Sequence, residues 1–311
     1  NYFRNFTISE GCDKCIQNEG DVHSLGDCSD TQYDGKADCE AASETWTPET
    51  DESADDYYHA IFENITTINC SKPFRMSGGG RFKIMDSEMK TEGDHPHCKG
   101  PLFNLTTSDY ADGKRSVVYI EDTIVDNCQE GIGFTGTAEG VLRRNTVTNC
   151  ARRGVLVTKN SKISMTSNVI RYNGGELSSE KGFGGVAAWD NDDELFSPQM
   201  DLGGGSIEID GKTMTSDGFN IICGNLYKSA WPIKWDIHNL SESDQTAENN
   251  WWCNTDPSDI GATQIWEMNG SVDYQPIVRR QPWWMPTYTT QATCEAAAGN
   301  WGSSASSCTW E

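Results

Sequence analysis

The sequence predicts an all-β protein built as a parallel β-helix, a single-stranded solenoid in which each turn packs only on its neighbours. The first observation is a repeat: residues 120–128 and 142–150 share one pattern 22 residues apart, and residues 165–173 continue it with Asn where the first two copies end in Cys. The second is that each copy is too short and too thinly apolar to bury itself alone. The third is that no segment keeps a helical period, residues 292–298 being the best helical candidate.

Short strands of alternating apolar and polar residues recur along the chain, and Asn, Gly and Pro mark the corners between them. The repeat predicts one pair of strands per turn and about eight turns. Equivalent residues of successive turns would then stack ~4.8 Å apart, which is the spacing between paired strands.

A cysteine precedes the second strand of successive turns, which predicts a ladder of Cys70, Cys98, Cys128 and Cys150 at one corner of the coil. Stacking would place their Cα atoms within the range that a disulfide accepts. We therefore expect a Cys128–Cys150 bond, with Cys70–Cys98 as the next pair.

Long insertions interrupt the predicted coil, and on a solenoid they tend to emerge on one side, often the binding side. The largest, residues 20–56, is acidic and holds Cys28 and Cys39; the others span residues 90–97, 106–114, 174–184, 192–205 and 239–247. Residues 37–46 recur as residues 292–301, which predicts disulfide-stapled insertions with the bonds Cys28–Cys39 and Cys294–Cys308.

The chain has 24 basic and 47 acidic residues, a formal net charge of −23. A surface of this sign repels nucleic acid and anionic membranes, so it favours cations, neutral glycans or a basic protein face as partners. A second interpretation is that the charge serves solubility alone.

Twelve cysteines and six N-x-Ser/Thr sequons indicate an oxidising secretory route and an extracellular or cell-surface location. Asn69 is the least suitable sequon, because Cys70 beside it should turn inward, whereas three others are expected in or beside loops: Asn104, Asn239 and Asn269. The full set of predicted glycosylation sites is Asn5, Asn64, Asn69, Asn104, Asn239 and Asn269. No run of residues reaches transmembrane length, and the lack of an initiator Met suggests a mature product.

The rung pattern resembles that of the right-handed parallel β-helix repeat proteins, the superfold of pectate lyases and polygalacturonases. Residues 249–260, Ile265 and residues 270–276 also resemble the closing turns of many secreted β-helix proteins, whose usual form is N-N-W-W-G, D-P, an Ile and V-x-Y-x-P. The resemblance implies a right-handed coil over residues 1–280 and leaves a Trp- and Cys-rich tail at residues 281–311. Because Cys253 replaces the customary Gly of that motif, a local disulfide to Cys223 is suggested.

This resemblance implies a fold and no single activity, because the superfold hosts lyases, hydrolases, adhesins and structural proteins. The pectinolytic hydrolase signatures are absent as a set: the only Asn-Thr-Asp, residues 254–256, lies in the closing motif, and there is no Gly-His-Gly. A pectate lyase would need a calcium-binding carboxylate group and an Arg base, for which Arg152, Arg153 and Asp126 are the catalytic candidates. A charge-balanced outer face, also including Arg143, Arg144 and Asp122, is the alternative.

An acidic loop is the candidate metal site, because calcium prefers several oxygen ligands on one loop. Its residues are Asp190, Asp192, Asp193 and Glu194. They lack the full EF-hand spacing, and a merely solvated acidic loop is the alternative. No cofactor is required by the predicted fold, and calcium is the one candidate.

Seven of the eleven tryptophans lie between residues 251 and 310. We expect Trp251 and Trp252 to cap the end of the coil's core. Trp283 and Trp284, beyond the closing motif, are candidate partner-contact residues, because exposed Trp packs against sugars or proteins.

Two function classes follow from these observations. The first is a structural or adhesive cell-surface glycoprotein whose copies contact head to tail in an extracellular filament, or which binds glycans. The second is a secreted polysaccharide lyase or glycoside hydrolase acting on an extracellular polymer. The missing catalytic signatures favour the non-enzymatic class.

Overall fold

The computed structural model shows a coil of parallel strands. It describes residues 2–9, 15–18, 26–28, 46–48, 58–77, 79–92, 102–105, 116–174, 184–189, 197–225, 227–228, 232–233, 236–267 and 270–279. The chain forms two compact units, Asn1–Arg279 and Arg280–Glu311. The second unit lies outside the described residues, and so do the predictions for Trp283, Trp284, Cys294, Cys308 and the helix at residues 292–298.

The strands of the first half follow one another in short segments. They are β1 (Tyr2–Ser9), β2 (Ile16–Asn18), β3 (Gly26–Cys28), β4 (Trp46–Pro48), β5 (Ala60–Ile68), β6 (Phe74–Ser77), β7 (Gly80–Met85), β8 (Glu88–Lys90), β9 (Leu102–Leu105), β10 (Ser116–Glu121), β11 (Ile124–Asp126), β12 (Ile132–Gly136), β13 (Glu139–Arg143), β14 (Thr146–Thr148) and β15 (Arg153–Thr158).

The second half continues the coil and adds one helix. Its elements are β16 (Lys162–Thr166), β17 (Val169–Arg171), β18 (Gly184–Trp189), β19 (Gln199–Asp201), β20 (Ser206–Ile209), β21 (Lys212–Thr215), β22 (Ile221–Cys223), β23 (Tyr227–Lys228), β24 (Pro232–Ile233), β25 (Ile237–Leu240), β26 (Gln245–Thr246), α1 (Pro257–Thr263), β27 (Ile265–Glu267) and β28 (Val272–Asp273).

The fold is a right-handed parallel β-helix with three faces. Face 1 stacks the first part of β5 with β7, β10, β13, β16, β19, β26 and β28. Face 2 stacks the second part of β5 with β8, β11, β14, β17 and β22. Face 3 stacks β2, β6, β9, β12, β15, β18, β25 and β27. The predicted single pair of strands per turn is therefore wrong, since each complete turn carries three strands.

Left-handed residues at the corners explain the third strand. Each repeat unit is bent near its middle, so that residues 120–121 lie on face 1 and residues 124–126 lie on face 2. Asp122 has a φ of 49° and Arg144 a φ of 56° at this first corner, and Asn127 and Asn149 have φ values of 52° and 58° at the second. Asn and Asp tolerate this conformation better than other L residues, which accounts for their recurrence at the corners.

An asparagine ladder lies just inside the first corner, one residue after each left-handed position. Its members are Asn145, Asn168, Asn220 and Asn250, each no more than 1% exposed. Asn168 shows the pattern: its Oδ1 accepts from the backbone N and Nδ2 of Asn145, and its Nδ2 donates to Asn220 Oδ1 and Leu142 O. The ladder thus satisfies corner amides and carbonyls that the bend removes from the sheet hydrogen bonds.

The predicted Cys128–Cys150 disulfide is wrong. Both side chains occupy the second inner corner and are buried, and the Sγ atoms lie 3.5 and 3.6 Å from the carbonyl oxygens of Asp126 and Thr148, respectively. Equivalent residues of stacked turns have parallel Cα–Cβ vectors ~4.8 Å apart, whereas a disulfide requires a Cβ separation of about 3.5–4.5 Å. Asn173 continues this corner and accepts from the Cys150 backbone N.

The disulfides of the described residues join Cys15 to Cys70 and Cys223 to Cys253. The Cys70–Cys98 pairing is therefore wrong. Ile16 pairs with Phe74, so Cys15 and Cys70 occupy unequal register positions and are free of the parallel-vector constraint. Cys223 and Cys253 form the pair suggested by the closing motif, and a φ of 55° at Cys253 turns its side chain away from a parallel stack. Cys39 and Cys98 lie outside the described residues, as does the side chain of Cys28.

Described residues cover the core at the C-terminal end of the coil. Trp252, Ile260 and Val272 are buried in the core, and the Trp252 ring meets Tyr274 edge to face at 6.5 Å. Ile260 lies in α1, which the sequence analysis missed. Its start signals were present, because Asp256 caps the helix by accepting from Ser258 N and Pro257 follows the cap.

An antiparallel hairpin, β20–β21, leaves the coil and covers part of face 1. Asp210 and Gly211 form its turn with φ values of 56° and 69°. An Asp-Gly pair of this kind is the residue choice for a type I′ turn, so the sequence carried a local signal for this hairpin. The insertion predicted at residues 239–247 is also wrong, since β25 and β26 of that range are coil strands.

Candidate functional site

Two of the predicted catalytic residues are adjacent arginines at the start of β15. Arg153 is the first residue of β15 and is 4% exposed. Its Nη1 lies 2.9 Å from Glu130 Oε1, and its guanidinium carbon lies 5.4 Å from the centroid of the Trp189 ring. Arg152, which is more exposed, lies 3.8 Å from the same Glu130 oxygen. The buried guanidinium of Arg153 is therefore held between a carboxylate and an indole.

A buried histidine lies close to Arg153 on the outer side of face 3. His238 is fully buried in β25, and its ring contacts Trp266 edge to face at 5.4 Å. Burial, and then the positive charge of Arg153, lowers the pKa of His238 to about 3, so the imidazole is neutral at physiological pH. The environment of His238 could not be read from the sequence, because Arg153 and Trp266 come from other turns.

Asp126, the third catalytic candidate, lies on a different face from Arg153. It ends β11 on face 2, and its Oδ1 accepts from Thr148 Oγ1 at 2.8 Å and Asn149 Nδ2 at 2.7 Å. The carboxylate thus bridges a strand and a corner of the next turn. The contacts of Asp126 are therefore different from those of Arg152 and Arg153.

The remaining arginines of the predicted groove form surface ion pairs. Arg144 makes a two-pronged contact with Asp122, at 2.8 and 2.6 Å, between the first corners of consecutive turns. Arg143 lies 3.9 Å from Glu121. These are the contacts expected of a charge-balanced outer face.

A second cluster lies on face 1 under the hairpin. Arg81 lies between two tyrosine rings, with its guanidinium carbon 5.1 Å from the centroid of Tyr58 and 5.4 Å from that of Tyr119. Its Nη2 is 2.9 Å from Asp210 Oδ2 at the hairpin turn. Apolar residues of β10, β13 and β20 pack beside it: Val117, Val141, Ile207 and Ile209. The cluster fastens the hairpin to the coil.

The sequons fall in three environments. Asn5 and Asn64 are exposed left-handed residues of the first corner, and Asn64 Nδ2 donates to Asn5 Oδ1 at 2.7 Å. Asn69 is half-buried at the second corner. The left-handed conformation alone accounts for Asn at these three positions.

The remaining sequons do not all lie where the sequence analysis expected them. Asn104 is the next-to-last residue of β9 and so lies beside the insertion predicted at residues 106–114. The prediction that Asn239 is a glycosylated loop residue is wrong. Asn239 is fully buried in β25, and its Nδ2 donates to Ser243 O and Ser271 O. Asn269 lies outside the described residues.

Described residues offer no cluster of three or more His, Cys, Asp or Glu side chains suited to a metal ion. The predicted calcium ligands fall outside that range, so calcium binding there stays a prediction: Asp190, Asp192, Asp193 and Glu194. Across the ranges that the structure describes, no helix has the length and apolar character needed to cross a bilayer.

The candidate functional site is the first-turn surface. We define it as the edge of β1 that does not pair with β5, together with the side chains of Tyr2, Phe3, Phe6 and Ile8. Phe3 faces the core side and stacks on Phe62 at 5.1 Å, yet it is 43% exposed, and Tyr2 is 56% exposed. Strand β1 pairs with β5 along one edge, and no other described strand pairs with it. Among the described residues, Phe3 is therefore exposed although it faces the core, whereas Trp252 and Ile260 are fully buried.

Comparison with known proteins supports the fold. A family model described as "Right handed beta helix region" matches residues 50–197, a little less than half of the chain. The chain contains a right-handed β-helix. Such domains occur in polysaccharide lyases, hydrolases and adhesins, so the match is compatible with an extracellular role and selects no activity. Neither the search of curated proteins nor the search of solved structures found a match.

Proposed function

We propose that this protein is an extracellular structural or adhesive glycoprotein that associates with further copies through the first-turn surface. The observation that carries the proposal is the exposure of Tyr2 and Phe3 on β1, one edge of which pairs with no described strand. A strand edge with unpaired N–H and C=O groups invites another strand, and native proteins normally cover or charge such an edge. Here β1 contains one charged residue, Arg4, among its eight.

The disulfides and the absence of a membrane-spanning helix among the described residues are compatible with an extracellular location. The exposed sequon Asn64 in β5 adds support. Intact mass before and after enzymatic deglycosylation tests this part, and an unchanged mass would contradict a secretory route.

The polysaccharide-enzyme alternative has less geometric support. A catalytic base must reach the bound polymer. Arg153 is buried and ion-paired with Glu130, and Asp126 lies on another face with partners of its own. These side chains therefore present no shared reactive surface in this conformation.

The proposal is tested by the change Phe3→Asn, measured as the concentration dependence of sedimentation on deglycosylated protein. We expect the unchanged chain to self-associate, and the substitution to weaken association at least ~10-fold, because it removes a large apolar contact from the centre of the surface.

Phe219→Asn is the matched control. Phe219 is 44% exposed, almost the same as Phe3, but it lies at a corner before β22, far along the coil from β1. Equal weakening by both changes would mean that general surface hydrophobicity drives association. A chain that stays monomeric at every concentration would contradict the proposal.

A further inference from the structure

We propose that Cys128 and Cys150 together bind one soft monovalent metal ion of the Cu(I) type between their two sulfur atoms. The inference goes beyond the proposed function, because it requires neither self-association nor a particular location of the protein. It assigns a binding site to the second inner corner of the coil, where the sequence predicted a disulfide and the structure shows two buried thiols.

The two thiols occupy equivalent positions in consecutive turns. Asp126 pairs with Thr148 across face 2, and each cysteine follows its strand residue by two positions. Each Sγ atom lies beside the carbonyl oxygen two residues before it, at 3.5 Å for Cys128 and 3.6 Å for Cys150. Because both side chains have this orientation, the sulfur atoms repeat at the spacing of the turns, ~4.8 Å.

This spacing is too long for a disulfide but matches a linear metal bridge. A disulfide needs its sulfur atoms about 2.05 Å apart. A metal–thiolate bond of roughly 2.3 Å, the length found for zinc, gives a sulfur–metal–sulfur span of about 4.6 Å when the two bonds lie in line. An ion midway between the two sulfur atoms therefore reaches both with little displacement of the chain.

The chemistry of the corner favours a soft cation. Thiolate is a soft ligand that selects soft ions, Cu(I) among them. Zinc takes four ligands in a tetrahedron, an arrangement that two stacked thiols do not supply. The carbonyl oxygens of Asp126 and Thr148 add partial negative charge beside the sulfur atoms, which also favours a cation there.

Binding at this site is a ligand exchange without oxidation or reduction. Each thiol gives its proton to solvent as its sulfur bonds to the ion, so two protons leave, one cation enters and the bound unit carries one negative charge. Binding therefore becomes tighter as the pH rises. Cys128 and Cys150 are 0% and 1% exposed, so the ion enters while the corner is locally open.

The chain itself supplies the substitution that tests the site. Asn173 occupies the same corner in the turn after Cys150 and accepts from the Cys150 backbone N. The changes Cys128→Asn and Cys150→Asn therefore introduce a residue type that this corner already accommodates. We expect either change to weaken binding at least ~100-fold, because losing an outer-shell group alone costs about 10- to 100-fold in metal affinity.

Ag(I), a soft ion that stays monovalent in air, is the probe. The protein is incubated with it in urea below the unfolding transition, which opens the corner more often, and native mass spectrometry counts the bound ions. The double variant Cys128→Asn/Cys150→Asn is the reference for ions held elsewhere in the chain. We expect the unchanged chain to hold one ion more than this reference, and each single variant to hold the same number as the reference.

X-ray absorption at the metal edge provides a second measurement on the unchanged chain loaded with one equivalent of Ag(I). It reports the ligands directly and does not depend on whether a variant folds. We expect two sulfur neighbours, and no nitrogen or oxygen neighbour at bonding distance.

Three outcomes would overturn the inference. Single variants that keep an ion lost only by the double variant would mean that each thiol binds by itself. Equal ion counts in all four forms, or nitrogen and oxygen neighbours at the metal, would mean an adventitious ion only. A chain that binds no ion would leave the two thiols as hydrogen-bond donors to the carbonyl groups of the corner.

Discussion

Single residues at the corners determine how this chain turns. A left-handed residue bends the strand, and the next residue points inward and binds the backbone of adjacent turns. At the first corner that inward residue is Asn in four successive turns, and at the second it changes from Cys150 to Asn173. Both residue types occupy the corner because each offers a donor to a carbonyl, the thiol more weakly than the amide.

The buried His238 predicts that stability depends on pH. Its pKa of about 3 in the native protein lies below the ordinary value of 6.5, so the unfolded chain binds one more proton between these pH values. The titration of His238 therefore leaves the unfolding free energy at its full value above pH 6.5 and lowers it as the pH falls toward 3. We expect this histidine to remove about 2 kcal/mol of unfolding free energy between pH 7 and pH 5.

The matched variant is His238→Phe, which keeps an aromatic ring beside Trp266 but cannot titrate. Denaturant unfolding at several pH values should show a shallower pH dependence in the variant than in the unchanged chain. Parallel curves would show that His238 is protonated without penalty in the native state.

At the scale of elements, two glycines distinguish backbone strain from steric overlap. Gly211 lies in the turn of the hairpin β20–β21, and Gly140 lies in β13. A Cβ added at Gly211 would meet no atom within 4 Å, but the residue has a φ of 69°. A Cβ added at Gly140 in β13 would lie 2.3 Å from the ring of Phe134 in the core.

We expect Gly211→Ala to lower the unfolding free energy by about 1 kcal/mol through strain alone. Gly140→Ala should lower it by about 2 kcal/mol or more, because the core must shift. Denaturant unfolding of both variants measures the difference. Equal losses would mean that the Phe134 ring moves aside at little cost.

Element-scale features also show how far the sequence could predict the structure. The 22-residue repeat identified the parallel coil, because the period and strand alternation follow from local packing. The third strand was missed because a bend at Asp122 or Arg144 depends on φ, which residue type indicates only weakly. The disulfide errors at Cys70 and Cys128 have another cause: sequence spacing reports that residues stack, but not which way their Cα–Cβ vectors point.

The candidate site was less predictable than the fold. That residues 2–9 form a coil strand could be read from their sequence, whereas the exposure of Phe3 depends on what the remaining chain covers. The Arg153 environment combines Glu130, Trp189 and His238 from separate turns, and no local pattern links them.

At the scale of the whole molecule, stability should vary along the coil. A solenoid turn is held only by its neighbours, so a terminal turn lacks half of the contacts of an internal one. Strand β1 has one paired edge and mostly exposed side chains, whereas β13 pairs with β10 and β16 and is largely buried.

Amide hydrogen exchange on the dissociated Phe3→Asn variant tests this gradient. We expect β1 to exchange fastest among the coil strands and β13 to be among the slowest. Uniform protection from β1 to β13 would indicate that the coil unfolds as one cooperative unit.

The asparagine ladder favours insertions and deletions of whole turns over shorter changes in the length of the coil. Each of the linked amides Asn145, Asn168 and Asn220 donates to the next member through the same two nitrogens, even though the last of these steps spans a different chain length from the first. The hairpin β20–β21 lies between Asn168 and Asn220 and leaves that step unchanged. A genetic duplication or loss of one full turn would therefore join surfaces that already match, whereas a change of one or two residues would put every later amide out of phase. Evolution of related chains should therefore change the length of this coil mainly by the gain or loss of whole turns.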